Sequence, residues 1–201
     1  MIVVIDYGMG NLRSVSKALE HLGGKVKVSS KAEDIDKADK LVLPGVGAYG
    51  DAVGELRNLR LFDSIKAYLD SHRPFLGICL GLQLLFPRSD ESPDTIGLGC
   101  LPGRVRKFKS PGIKIPHIGW NQVCIKQKHE LLRGIPDESF FYFVHSYYAQ
   151  PQDDAMIAGT STYGAEVFAA IVAMDNLFAT QFHPEKSQSM GLAILKNFLQ
   201  W

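Results

Sequence analysis

Residues 75–85, "FLGICLGLQLL", begin as a short apolar strand and end as a helix, with Cys79 at the bend and Gly77 and Gly81 on either side. A continuous apolar run of this length, not alternating, is the pattern of a strand buried on both faces, as in a parallel sheet. A strand–turn–helix bend with small neighbours holds its central side chain exposed, as the nucleophile elbow of hydrolases does. The first N–H groups of the following helix carry partial positive charge and favour a thiolate there. Gly77 and Gly81 lack a Cβ, so they permit the sharp turn and leave room for a substrate. On this stretch alone a second reading stands beside the first: a small buried cysteine packed among glycines.

Outward from the bend, the first half of the chain alternates. Ile2–Ile5 is another continuous apolar run. Asn11–Leu22 places Leu12, Val15, Ala18, Leu19 and Leu22 at helical spacing, and Gly23-Gly24 stops it. Val26–Val28 and Leu41–Leu43 are further strand candidates, the latter ending in "PGVG"; Phe62–His72 reads as a helix and Phe75–Ile78 as the fourth strand. Strands alternating with helices imply an α/β fold, a mostly parallel central sheet flanked by helices. After about Leu98 the rhythm changes. Short β-like runs such as "KIPHIGWNQVCI", "SFFYFVHSYYA", "VFAAIVAM" and "LFATQF" follow one another with few helices, predicting an antiparallel or mixed extension packed on the first sheet. Ser187–Leu199 closes the chain as a helix. With no Pro/Ser-rich linker, residues 1–201 are expected to form one domain.

The composition narrows the function classes. Of 201 residues, 46% are hydrophobic and 21% charged, with a net charge of +1, so there is no electrostatic case for nucleic acid or an anionic membrane. No apolar run approaches the ~18–20 residues of a membrane span, and the start "MIVVIDYGMG" reads as a strand rather than a signal peptide. Three cysteines without CxxC spacing argue against a disulfide framework or zinc site and fit a reducing, cytoplasmic setting. No metal or organic cofactor is expected.

Ligands in open α/β sheets sit outside the carboxyl ends of the strands. Three features fall there by sequence order: Tyr7–Asn11, Pro44–Gly47 and Cys79. A nucleophilic thiol needs a base and a group that orients it. His21, His72 and His129 lie beside charged helical stretches and are expected on solvated faces, while His117 and His145 fall in strands. His183 stands at the end of "LFATQF", another carboxyl strand end, in "QFHPEKS". In an extended segment Glu185, two residues on, projects to the same side and can hold the imidazole tautomer. The unit also reads as a turn with a satisfied histidine. Joined to the elbow, it gives a Cys–His–Glu set suited to acyl transfer, with one oxyanion N–H donor expected from Leu80, while PGVG reads either as a second donor or as a plain loop. Cys100 and Cys124 have no elbow and are expected to be inert core residues.

"GICLGLQLL" together with "FHPEKS" resembles the class I (triad) glutamine amidotransferases. "VVIDYGMGNLRSV", "LPGVGAYGDA", "PHIGWN" and "FYFVHSYY" narrow the likeness to the glutaminase subunits of imidazole glycerol phosphate synthases. The resemblance spans the chain from Met1 to the final helix. It implies a flavodoxin-like amidotransferase fold, with Cys79 as nucleophile, His183 as general base and acid, and Glu185 as its orienter. It implies that Gln83, Ser146, Tyr147 and Gly45 bind glutamine, and that Val46 and Gly47 join Leu80 at the oxyanion. It also implies that Met9, Gly10, Asn11 and Lys186 contact a (β/α)8 cyclase subunit, in a heterodimer that receives ammonia. Some relatives carry Pro where this chain has Met9. Other triad glutaminases, of pyridoxal phosphate, GMP or anthranilate synthesis, and an α/β cysteine hydrolase remain alternatives.

Overall fold

A computed structural model describes residues 1–201. The parallel half is built as the alternation predicts: β1 (Ile2–Ile5), α1 (Leu12–His21), β2 (Val26–Ser29), β3 (Lys40–Gly45), α4 (Phe62–Asp70) and β4 (Phe75–Cys79). Asn11 starts α1 by accepting a hydrogen bond on Oδ1 from the Ser14 amide at 3.3 Å, which satisfies one of the free N–H groups of the first turn. Two helices have no counterpart in the sequence reading: α2 (Ala32–Asp36) and α3 (Tyr49–Asn58). In α3 the apolar residues Tyr49, Ala52, Val53 and Leu56 are buried at helical spacing. Gly50 and Gly54, directly after PGVG, hide that pattern behind residues that favour loops.

The second half contributes α5 (Leu80–Gln83), β5 (Gly103–Lys107), β6 (His117–Ile125), β7 (Ser139–His145), β8 (Tyr147–Pro151), β9 (Ile157–Tyr163), β10 (Glu166–Met174), β11 (Leu177–Thr180) and α6 (Gln188–Gln200). Nine strands form one sheet in the order β2-β1-β3-β4-β11-β10-β9-β6-β7, and β5 pairs with β8 in a separate ribbon. The extension therefore joins the parallel strands edge to edge instead of packing on their face. Its last strand, β11, runs parallel to β4 and is the hinge between the two halves, since β10 returns antiparallel to it.

Side chains on the two faces of the sheet make two cores. One gathers Ile5, Leu43 and Phe75 with Leu56 of α3 and Ile65 of α4. The other gathers Val4, Leu76 and Phe178 with Val15 and Leu19 of α1 and Ile194, Leu195 and Phe198 of α6. The antiparallel half curls. β7 is four places from β11 in the strand order, yet the His183 amide donates to the Tyr142 carbonyl at 3.0 Å and Phe141 stacks on Phe182 at 4.1 Å between centroids. This curl brings β7 over the carboxyl end of β11, where the candidate residues lie. No helix is long and apolar enough to cross a membrane.

Candidate active site

Cys79 ends β4 with φ 54° and ψ −105°, a region that costs a non-glycine residue about 1–3 kcal/mol. The surrounding packing enforces it. A Cβ on Gly81 would fall 1.8 Å from the Leu43 carbonyl oxygen, and one on Gly77 would fall 3.1 Å from the Gly81 oxygen. The glycines are thus there because strand and helix backbones meet at the bend. The helix itself is short: α5 has four residues, so the charge of its N-terminus on the sulfur is smaller than a long helix would supply. Instead Gln181 Nε2 donates to Cys79 Sγ at 3.7 Å.

His183 lies past the end of β11, and Pro184–Lys186 forms a 3-10 turn rather than the extended segment expected. The contact survives the different geometry. His183 Nδ1 donates to Glu185 Oε1 at 2.9 Å, and both side chains are buried. The backbone around the ring is tied down: Ser187 Oγ donates to the His183 carbonyl at 2.6 Å and accepts from the Tyr142 amide at 3.0 Å. The Nδ1 bond leaves Nε2 buried and without a hydrogen-bond partner. Burial alone would lower the imidazole pKa, but Cys79, through its charge and its close approach to the ring, outweighs it first, and the bond to Glu185 adds to the rise, to about 10.

A cavity of about 380 Å³ opens at Cys79, and its wall includes Val46, Gly47, Leu80, Gln83, Ser146, Tyr147 and Lys186. Gly45 pairs with Cys79 across β3 and β4; a Cβ there would fall 2.2 Å from Tyr7 Oη, so only glycine lets the strand close on the elbow. Tyr7 is buried, donates to the Pro44 carbonyl at 2.9 Å, and has its pKa raised by burial and then by Cys79. Gly10 packs on Gly45 and Pro44, and the Met9 methyl packs on Gly47. The loop after β1 therefore braces PGVG. Lys186 is exposed at the rim. A larger cavity of about 570 Å³, between the β8 ribbon and β9–β10, touches none of the residues singled out from the sequence.

Four groups escaped the sequence reading. Gln181 is fully buried and links Cys79 to Gln83, whose Nε2 donates to Gln181 Oε1 at 3.2 Å and to the Tyr147 carbonyl at 2.9 Å; its spacing of two from His183 was the available signal. Glu91 lies on the cavity wall and accepts from the Tyr49 amide at 2.8 Å, at the start of α3; its irregular loop gave no signal. Tyr7 and His145 were read only as loop and strand. Conversely, His129 is not solvated: it is half-buried, Nδ1 accepts from the Leu131 amide, its ring packs on Phe178, and burial lowers its pKa. His21 and His72 are exposed as expected. Cys100 and Cys124 are half-buried at the edges of the core rather than inside it, and burial pushes the Cys100 thiol up to about 11.

Residues 3–201 match the family described as glutamine amidotransferase class-I. The chain belongs to that family. The amidotransferase is 50% identical over its whole length to the imidazole glycerol phosphate synthase subunit HisH of Microcystis aeruginosa, covering 95% of that protein. It is 52% identical over 98% of its length to the subunit of the same name from Aquifex aeolicus, covering 94% of that one. Among solved structures, a glutamine amidotransferase superposes on it with a TM-score of 0.77 at 18% identity, covering 100% of this chain and 98% of the other. PurLQS from Thermotoga maritima gives 0.76 at 19% identity, with 99% of this chain and 95% of the other covered. These two likenesses carry the fold: the amidotransferase is an α/β protein with a large mixed sheet flanked by helices.

Proposed function

We propose that this amidotransferase is the glutaminase subunit of an imidazole glycerol phosphate synthase, with Cys79, His183 and Glu185 as its catalytic triad. The observation that carries the reading is the divided imidazole of His183. One nitrogen is held by Glu185 at 2.9 Å, and the other is buried, unpartnered and close enough to the Cys79 sulfur for its charge to act on the ring.

The steps follow from that arrangement. The Cys79 thiolate attacks the carboxamide carbon of glutamine, and N–H groups of Leu80 and of the Val46–Gly47 peptide take the developing oxyanion. His183 Nε2 gives its proton to the leaving nitrogen, ammonia departs, and a thioester remains on Cys79. His183 then accepts a proton from water, which attacks the thioester and releases glutamate, while Glu185 keeps the same tautomer throughout. Glu91 is the one carboxylate on the cavity wall and complements the α-ammonium of glutamine. Ser146 and Tyr147 face the α-carboxylate, and Gln83 holds this segment.

The partner is a (β/α)8 cyclase subunit that takes the ammonia. Alternation on β6 and β7 leaves apolar residues outside: Ile118 is 60% exposed, Trp120 45% and Phe140 53%. Val144 of the same face and Lys186 reach the cavity wall. An apolar face continuous with the mouth of the site fits a seal against a second protein, which would keep ammonia from water. Met9 and Gly10 pack on PGVG beside the cavity, and Asn11 next to them also has the structural role of capping α1. The names of the half-identical relatives support the same assignment.

Ammonia release from glutamine, measured with and without the cyclase and its acceptor, tests the reading. We expect acceptor-stimulated release, abolished by Cys79→Ala and retained by Cys124→Ala. Full activity of Cys79→Ala, or no association with the cyclase, would overturn it.

A further inference from the structure

Two buried histidines outside the triad are joined to the site by a directed chain of hydrogen bonds. His145 Nδ1 lies 2.8 Å from the Tyr147 carbonyl oxygen. A carbonyl only accepts, so Nδ1 carries the proton and, in the neutral ring, Nε2 is an acceptor. His117 Nδ1 lies 3.0 Å from that Nε2, so it carries a proton as well and its own Nε2 is an acceptor. Asn121 Nδ2 meets that atom at 3.3 Å and donates its other hydrogen to the Thr162 carbonyl at 2.9 Å. The Asn121 amide is not free to flip, because its Oδ1 accepts from the Gln122 amide at 2.9 Å. One carbonyl thus fixes four consecutive donor–acceptor assignments.

The end of this chain is a saturated acceptor. Tyr147 oxygen also receives Gln83 Nε2 at 2.9 Å, which fills both its lone pairs with side-chain donors. The neighbouring amide on β5, Lys107 N, bonds Asp90 instead. The surroundings keep the rings neutral: Phe108, Phe143, Phe168 and Tyr163 pack around them, and Tyr163 Oη donates away to the Lys114 carbonyl. No carboxylate acts on either ring, and the charge of His183 further opposes a proton on His145.

We propose that His117 and His145 are a neutral relay that fixes the Tyr147 carbonyl, and through it the Ser146–Tyr147 wall and the Gln83 amide, making both histidines positioning residues for glutamine. This rests on the reading of the cavity as the glutamine site.

Two measurements on the full chain test it. In ¹⁵N-histidine NMR both rings should be neutral Nδ1–H tautomers from pH 5.5 to 8, the reverse of the preference of a free imidazole. An Nε2–H tautomer or a titration in that range would overturn the proposal. In glutaminase assays with the cyclase present, His145→Phe should raise KM for glutamine roughly tenfold, the scale of one lost hydrogen bond, with kcat changed less than about threefold. His145→Asn keeps a donor near the Nδ1 position in a smaller side chain, and should hold KM within about threefold of native. Packing alone would rank the two variants the other way, so that order would overturn the relay. If His145→Phe fails to fold, His117→Phe should show the same rise in KM, smaller in size, and an unchanged KM would count against the proposal. A native chain that releases no ammonia removes the glutamine reading and the relay with it, whereas an active native chain with an indifferent His145→Phe removes the relay alone.

Discussion

The middle and the far end of the curled sheet each bury histidine, and they treat it in opposite ways. Beyond β11, His183 has a carboxylate on one nitrogen and a thiol near the other, and its pKa rises to about 10. Between β6 and β7, burial lowers His117 to about 4 and His145 to about 3, where the bond to the Tyr147 carbonyl opposes the fall without reversing it. Burial penalises the charged ring in both places. The difference is the partners: the Cys79 sulfur first and the Glu185 carboxylate second repay the charge on His183, and a carbonyl or a second imidazole does not. On the proposed reading, one region holds a proton that moves and the other holds protons still.

Removing the carboxylate should break the contrast most severely. Glu185→Gln should lower kcat on the order of 10²- to 10⁴-fold, by analogy with other triads that lose their orienting acid. It should also shift the alkaline limb of the pH–rate profile downward, because His183 then deprotonates at lower pH. The folded pKa of His183 lies above its unfolded 6.5. Its contribution to stability is therefore complete below pH 6.5 and lost as the pH rises toward 10, and Glu185→Gln should weaken that dependence in thermal melts while leaving the part that Cys79 supplies.

The neutral pair has the opposite sign. Unfolded, both rings bind protons near pH 6.5; folded, they resist until about 4 and 3. The native chain should therefore lose stability as the pH falls from 6.5 to 4.5, through about two extra protons taken up on unfolding. The double variant His117→Phe/His145→Phe should show a flatter acid limb. The smallest effect belongs to the outer face of the same strands. Trp120→Ala should weaken association with the cyclase about tenfold, the scale of one exposed aromatic anchor, and leave both titrations where they are.

The sequence carried whatever is local. β1 and β4 announce themselves as unbroken apolar runs, and the elbow and "FHPEKS" carry their chemistry within a few residues. Other features depend on distant partners and stayed hidden. Nothing in Leu177–Thr180 says that it lies beside β4 rather than inside the antiparallel extension. That placement puts His183 and Cys79 on neighbouring strand ends. Glu185 was found for an imperfect reason, since a 3-10 turn and not an extended strand delivers it. Tyr7 and Glu91 matter only because loops close on the elbow, which no pattern along the chain records, and Gln181 was marked only by its spacing of two from His183. The exposed Ile118 and Trp120 invert the usual inward-facing alternation; that was the available sign of an apolar outer face on β6.

The backbone of Cys79, at φ 54°, has a consequence for the history of such chains. Glycine would sit there at ease, so the fold carries a standing penalty for keeping a sulfur at the bend. In a lineage released from the need for ammonia, drift would favour glycine at position 79 on stability alone. A side chain held in that conformation is a mark of use.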